Sequence, residues 1–347
     1  MNDSLVGRAK LRLRTILIVG LLSLVLLFFL SIALGTYEMS IGEALVAFWN
    51  VITTGQAHTP QETVVLYSRI PRTLAVMGVG AGLCIAGVAM QAVVRNPLVD
   101  PYISGVSSGA SVGATMVIMG GLTFGAGIGL WAMPIAAFIG AIIAMAMAVL
   151  LAEAAGGRPI SFVLAGVMIG ITLSSITTIL LVLNPDKVHG VLYWLYGSFA
   201  QTNMNEAIII LSGVVIIGAI IMVYARELNV ILLGDEQANQ LGLGVKGFKR
   251  LMMVLTSLLT ALCVAFTGVI GFLGLIVPHT ARLLVGGDHR LLIPASIVIG
   301  MDVLLAADIV ARMVMSPTEL PIGAIIALIG GPFFAYLLIK KGREYVS

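Results

Sequence analysis

The ionisable side chains that could do chemistry inside apolar segments are few, and two aspartates are the first candidates. Asp302 and Asp308 lie six residues apart in one apolar block, which turns them about 120° from each other on a helix. An aspartyl protease needs two acids at one site, so this spacing argues against that enzyme. Asp308 also has Arg312 one turn later as an ion-pair partner. An ion-coupled carrier remains an alternative, because carboxylates inside spans are typical of ion relays.

No residue set predicts a metal site or a nucleotide site. His279 has no Cys, His or carboxylate at metal-ligand spacing. Cys84 and Cys263 lie inside apolar blocks, where they are expected to be small core residues. The Gly-x-x-x-x-Gly-Lys-Ser/Thr phosphate loop is absent from the sequence. We therefore expect this chain to bind no metal and no cofactor, and we expect any ATP to be hydrolysed in another subunit.

The chain around these residues is too apolar for a water-soluble domain. Of its 347 residues 59% are apolar and 10% are charged, and the mean hydropathy is +1.10. A soluble surface needs more polar residues than this. The formal net charge of +3 is too small to indicate a nucleic-acid partner. The sequence predicts an all-α integral membrane protein.

Ten apolar blocks are predicted to cross the membrane as helices of about 20 residues each. The block from Leu251 to Val285 would be about 50 Å long as one helix, so we divide it where glycines and Pro278 interrupt it. Most of the 19 Lys and Arg residues then fall on one side, together with both termini, which assigns that side to the cytoplasm. The prediction is one transmembrane domain over 1–347, with spans near 16–34, 73–94, 103–121, 131–152, 160–183, 207–224, 251–270, 272–287, 291–311 and 322–339.

The longest polar segment on the predicted inner side, residues 226–247, contains a short helix signal. Asp235 or Gly234 is the expected N-cap, Asp235 and Glu236 put acidic charge in the first turn, and Gly242 ends the helix. A helix exposed at a membrane surface usually touches a partner. A solvated loop helix is the plainer alternative.

Two proline-containing segments are expected to make turns. The run Asn96-Pro97-Leu98-Val99-Asp100-Pro101 predicts a tight inner corner, in which Asp100 caps the third span and Pro101 is its first helical residue. Pro278 and His279 lie within the predicted eighth span, near its expected break, where a structural role is favoured.

Glycines recur at four-residue spacing inside the spans. This spacing puts small residues on one helix face and lets two backbones approach closely in lipid. The pairs are Gly78 with Gly82, Gly109 with Gly113, and Gly166 with Gly170. We therefore expect a tightly packed bundle.

The longer motifs resemble the permease subunits of type II ATP-binding cassette (ABC) importers for iron-siderophores, haem and cobalamin. The resemblance runs from about residue 35 to the C-terminus, in order and without large gaps. The motifs that carry it are Arg69-Ile-Pro-Arg-Thr-Leu, Gly87-Val-Ala-Met-Gln-Ala, Arg95-Asn-Pro-Leu-Val-Asp-Pro, Gly105-Val-Ser-Ser-Gly-Ala, Gly271-Phe-Leu-Gly-Leu-Ile-Val-Pro-His, Gly287-Asp-His-Arg, Ala307-Asp-Ile-Val-Ala-Arg and Glu319-Leu-Pro-Ile-Gly.

The resemblance implies a multi-pass protein of the cell (inner) membrane that works in a complex. The expected partners are a second copy of the permease, two cytoplasmic ATP-binding subunits that use ATP and Mg²⁺, and an extracytoplasmic substrate-binding protein. The permease itself is not an enzyme in this family. On breadth of the family we expect an iron-siderophore as cargo, with haem or cobalamin as alternatives.

The resemblance also implies roles for three groups of residues. An ATPase cleft would receive the coupling helix with Asp235, Glu236, Ala238, Leu241 and Gly242. The binding protein would present glutamates to exposed arginines at the outer mouth, which are Arg69, Arg72 and Arg312, unless these only flank spans or pair with Asp308. Structural or gating turns would hold Asn96, Pro97, Asp100, Pro101, Pro278 and His279.

Overall fold

The computed structural model describes residues 2–120, 129 and 131–344. This part of the chain is α-helical, with short 3-10 and π turns and no β-strand. The helices in chain order are α1 (Asn2–Ala33), α2 (Ile41–Thr54), α3 (Pro60–Val64), α4 (Ile70–Val94), α5 (Val106–Gly120), α6 (Ala132–Ala154), α7 (Pro159–Leu183), α8 (Val188–Leu195), α9 (Met204–Val223), α10 (Ala225–Ile231), α11 (Asp235–Gln240), α12 (Val245–Thr267), α13 (Leu273–Val285), α14 (His289–Met313) and α15 (Ile322–Glu344).

Helix α4 is the centre of the bundle. It packs against α9, α12, α13 and α14, and nearly all of its residues are buried. Small residues make this possible, because they remove side chains from the contact. A Cβ at Gly80 would lie 2.6 Å from the carbonyl oxygen of Gly300, and a Cβ at Gly87 would lie even closer to that of Gly274. The backbone of α4 is therefore in direct contact with the backbones of α14 and α13.

The close contact predicted from glycine spacing is confirmed between α5 and α6. A Cβ at Gly109 would lie 2.6 Å from the Cβ of Ala144. Gly113 is packed as tightly against the backbone of Ala136. Since lipid gives helices no hydrophobic reason to associate, van der Waals contact at such short range holds the pair together.

The long apolar block over 251–285 is two helices in the structure. α12 ends at Thr267, Gly268 has φ +71°, and α13 begins after Phe272, which has φ +66°. The expectation that Pro278 marks the turn is wrong, because Pro278 lies inside α13. A proline inside a helix leaves the carbonyl four residues earlier without its usual N–H donor, and here that carbonyl belongs to Gly274, which packs on α4.

Seven of the described helices are long and apolar enough to span a membrane. They are α1, the run of α3 and α4 with the π turn between them, α6, α7, α9, α12 and α14. α5 and α13 are shorter, and ten crossings with both termini inside stay a prediction. The last residue of the predicted third span, 121, and the chain ends, Met1 and 345–347, lie outside the described residues.

Segments that the sequence assigned to the inner side lie together at one end of the bundle. Arg95, after α4, is paired with Asp235 of α11, and Arg250 of α12 is paired with Glu153 of α6. We call this end, with residues 95–100, 153–158, 226–250 and 286–290, the α11 end. The opposite end, with residues 34–72, 184–203 and 308–323, is called the α8 end.

Candidate functional site

The helix predicted within residues 226–247 is present as α11. Gly234, with φ +111°, is its N-cap, and Gly242, with φ +86°, follows its last turn. Ala238 is fully buried and anchors the helix against the core, whereas Leu241 is 65% exposed. Leu232 and Leu233 are exposed beside it. Exposed leucines grouped at one place on a surface indicate contact with a partner.

The carboxylate of Asp235 is engaged within the chain. It accepts a hydrogen bond from Arg95 at 2.7 Å and another from Lys249 at 2.6 Å. Lys249 is buried, so its ammonium requires a charged partner. Glu236, one residue later, is exposed. The exposed surface around α11 therefore includes Glu236 and Leu241, whereas the carboxylate of Asp235, whose side chain is 45% exposed, is held by Arg95 and Lys249.

The other end of this segment is held by a cluster around Asp288. Asn229 of α10 donates to Asp288 at 2.8 Å and accepts from the backbone N–H of His289 at 2.9 Å. Asp288 caps α14 and is paired with Arg290 at 2.6 Å. The hydrogen bonds from Arg290 lower the pKa of Asp288 to about 2, so it is ionised at neutral pH. This cluster ties α10 to α14.

The arginines predicted to be exposed at the outer mouth are buried, and that expectation is wrong. Arg72 is 7% exposed and Arg312 is 3% exposed. Arg72 forms a bidentate pair with Asp308 and a second pair with Glu319 at 2.7 Å. Arg312 contacts Asp308 at 3.1 Å, which is the pairing that the sequence left open.

The end of α1 supplies the remaining acceptors for this cluster. Arg69, 3% exposed, donates to the carbonyl oxygens of Ala33 and Tyr37, both at 2.7 Å. Arg312 donates to the carbonyl of Leu34 and to the hydroxyl of Ser31. The last carbonyls of a helix lack intrahelical donors and carry partial negative charge. Three buried cations are therefore balanced by two carboxylates and a helix end.

The turn residues lie partly where expected. Asn96 accepts from the backbone N–H of Leu98 at 2.9 Å, beside Pro97. Asp100 does not cap α5: its carboxylate accepts from the N–H of Tyr102, and it caps a 3-10 turn at Pro101–Ser104. The reason is that Gly105, with φ +77°, separates this turn from α5. Pro101 begins that turn.

His279 is not in a turn, because it follows Pro278 inside α13, where it is 4% exposed. The side chain of His279 is therefore buried within the bundle. No group of three or more potential metal-ligating side chains occurs among the residues that the structure describes.

An open groove lies along the outside of α5 and α7. Its volume is about 410 Å³, and its lining combines glycines and hydroxyl side chains with larger apolar ones, namely Gly105, Ser108, Gly170, Ser174, Thr178, Ile103, Val167 and Ile171. The hydroxyls of Ser108 and Ser174 are 3.1 Å apart. Few residues of α7 are buried. Within the described part of the molecule, no other helix packs over this face of the chain.

Sequence reasoning missed three members of these sites. The sequence identifies Lys249 only as one of the inner-side cations, and it identifies Arg95 and Glu319 only as parts of motifs. The available signal for Arg95 was its place directly after a helix and before Asn-Pro. Glycine is common at that position, so an arginine there is unusual. Glu319 had no local signal, because its partner Arg72 lies 247 residues earlier.

Known proteins resemble the chain over nearly its full length. The model of the FecCD transport family matches residues 23–340. The cobalamin import system permease protein BtuC of Halobacterium salinarum is 38% identical over 347 residues, which cover 98% of this chain and 91% of that protein. The iron(3+)-hydroxamate import system permease protein FhuG of Bacillus subtilis is 35% identical, covering 94% and 96%.

A solved structure also resembles the fold. It is an inward-facing transporter assigned to the metal-chelate ABC type, and one of its chains superposes with a TM-score of 0.82 at 30% identity. The superposition covers 94% of this chain and 99% of that one.

Proposed function

The chain belongs to the FecCD transport family, and from this membership we propose that it is the membrane permease subunit of an ABC importer for an iron-siderophore chelate. The observation that carries the proposal is the likeness to two import-system permeases over at least 94% of the chain. The importer would lie in the inner membrane, with the α11 end in the cytoplasm.

Power for transport would come from two ATP-binding subunits docked at α11. The support is the exposed surface of Glu236, Leu232, Leu233 and Leu241 on an otherwise anchored helix. ATP binding would close the two ATPase subunits on each other. This closure would draw together the α11 ends of two permease copies and open the pathway outward. Hydrolysis and release of phosphate would reset it. The sequence has no phosphate loop of its own.

A second copy of the chain would cover the groove between α5 and α7. The exposed length of α7 and the small hydroxyl side chains of the groove support a pathway between two copies. Such a wall offers a bulky chelate few strong contacts, so the chelate would be passed on rather than retained.

The substrate-binding protein would dock at the α8 end. Arg69, Arg72 and Arg312 would shape that surface through the cluster with Asp308 and Glu319. Arg72→Lys keeps the charge and removes the bidentate geometry. We expect it to reduce stimulation of ATP hydrolysis by the binding protein, and unchanged stimulation would show that the ion pairs of Arg72 do not shape the docking surface.

The proposal is tested by uptake in proteoliposomes that contain the permease, its ATPase subunits and its binding protein. Accumulation of a radiolabelled ferric hydroxamate that depends on ATP is the expected result. Accumulation of cyanocobalamin or haemin instead would show that the proposed substrate is wrong and would still support an ABC importer. Uphill transport by the permease alone, driven by an ion gradient, would overturn the importer and favour an ion-coupled carrier.

A further inference from the structure

One carboxylate joins α11 to two different helices of the bundle. Asp235 accepts from Lys249 on α12 through both of its oxygens, at 2.8 and 2.6 Å, and from Arg95 after α4 at 2.7 Å. α12 is also joined to α11 through its first residue, because the N–H of Val245 donates to Asn239. The pair with Arg95 is the direct ionic contact between α11 and the central helix α4 in the described chain.

Arg95 occupies a backbone position that disfavours its own side chain. It has φ +54° and ψ +36° at the end of α4, and its N–H donates to the carbonyl of Ala92. The N–H of Asn96 closes the same turn on the carbonyl of Gln91. Glycine usually fills this left-handed position, because a Cβ is strained there. A residue that opposes its local backbone preference points to a use for its side chain.

The last turn of α4 passes contacts on to other helices. Gln91, one turn before Arg95, accepts from the guanidinium of Arg282 on α13 at 3.0 Å. After Arg95 the chain enters the turn that starts with Asn96 and leads through Pro101–Ser104 to α5. A displacement of Arg95 would therefore reach α4, α13 and α5.

We propose that Arg95 is a positioning residue that transmits the movement of α11 to α4, with Asp235 as the shared joint and Lys249 as the anchor on α12. This inference rests on the proposed ABC importer. It separates two tasks around α11: Glu236 and Leu241 meet the ATPase, and Asp235 passes the movement on through its ion pairs with Arg95 and Lys249.

The test is Arg95→Gly in the complete complex of permease, ATPase subunits and binding protein in proteoliposomes. Glycine relieves the left-handed backbone and keeps the helix end, so thermal unfolding should occur at the wild-type temperature or above. The ATPase subunits should stay bound. The amount of radiolabelled ferric hydroxamate imported per ATP hydrolysed should fall at least about fivefold, the lower range of coupling between sites. Cyanocobalamin replaces the hydroxamate if the wild type imports cobalamin.

Two further variants make the result specific. Arg95→Lys keeps a cation opposite Asp235 in the same strained backbone and should restore part of the coupling, which a loss of stability would not explain. Arg250→Ala removes another ion pair of the α11 end, between α12 and Glu153 of α6, and should leave coupling unchanged.

The outcomes distinguish this inference from the proposed function. If the wild-type complex does not couple ATP hydrolysis to uptake, the importer itself is refuted. If the wild type couples and Arg95→Gly couples equally well, transmission through Arg95 is refuted. Loss of the ATPase subunits from Arg95→Gly would also refute it, because Arg95 would then be a docking residue.

Discussion

Individual charges in this bundle depend on the partners that surround them. Arg72 and Arg312 share Asp308, which is fully buried, and Glu319 completes the group from the loop before α15. Removing water from a charge is costly unless a partner of opposite sign remains close. The cluster therefore fixes how α4 and α14 meet at the α8 end.

Asp308→Asn should destabilise the protein, because it leaves two arginines with reduced compensation. Breaking a buried pair by removing one partner costs about 3–5 kcal/mol. The measurement is the midpoint of thermal unfolding in detergent. Glu153→Gln breaks the partly exposed pair with Arg250 and serves as control, with about 0–1 kcal/mol expected. Equal midpoints for both variants would contradict a stabilising role of the buried cluster.

At several crossings the helices of this bundle meet through small residues that bring two backbones into contact. α5 and α6 approach until the backbone of Gly109 faces Gly140, and α4 does the same with α14 at Gly80 and Gly300. Such contacts leave no room for even one methyl group, and they make helix spacing sensitive to single substitutions.

Gly109→Ala should separate α5 from α6 or lower the unfolding midpoint, since its Cβ would collide with backbone on α6. Overpacking of this kind typically costs about 1–3 kcal/mol. The matched control is Gly247→Ala in the first turn of α12, where no atom lies within 4 Å of the new Cβ. That variant should unfold at the wild-type temperature or slightly above, because alanine favours helix. A stable Gly109→Ala would show that the helices can shift without cost.

The short helix α11 should depend on Leu241 for its partner. Leu241→Ser removes an exposed apolar side chain without touching the core, and we expect binding of the ATPase subunits to weaken by about 1–2 kcal/mol. The measurement is a titration of ATPase subunits onto the purified permease. Leu45→Ser, on exposed α2 at the other end, should not change that affinity. Normal affinity for Leu241→Ser would leave α11 as a solvated loop helix.

The whole molecule has two ends with different charge chemistry. The α11 end holds partly exposed ion pairs and more basic residues than the α8 end, whereas the α8 end keeps its arginines inside. Cytoplasmic flanks of membrane helices collect Lys and Arg, so we expect the α11 end to face the cytoplasm.

Cysteine labelling tests this orientation. Cys84 and Cys263 are fully buried, so a membrane-impermeant maleimide should not reach them in the folded protein. Gln56→Cys at the α8 end should react in intact cells, and Glu236→Cys in α11 should react only after permeabilisation. The reverse pattern would invert the topology and move α11 away from any cytoplasmic ATPase.

Local sequence was sufficient for the features that depend on composition along one stretch of chain. Apolar block length predicted where the long helices lie, four-residue glycine spacing predicted close packing between helices, and capping residues predicted α11. The division of 251–285 was also readable, because the predicted break between spans 251–270 and 272–287 lies in the linker between Thr267 and Leu273. These signals are short-range, because backbone hydrogen bonding and conformational preference act within a few residues.

Only the tertiary structure decided which charged side chains are available at the surface. Arg72 lies 236 residues from Asp308, and Arg95 lies 140 residues from Asp235, so no local pattern could show either pair. Burial depends on neighbours that folding brings together. An exposed arginine can bind a partner protein, whereas a buried arginine joins helices through ion pairs. For this reason the sequence predicted the helical bundle and the helix α11, while the burial of Arg72 and Arg312 and the ion pairs of Asp235 followed from packing alone.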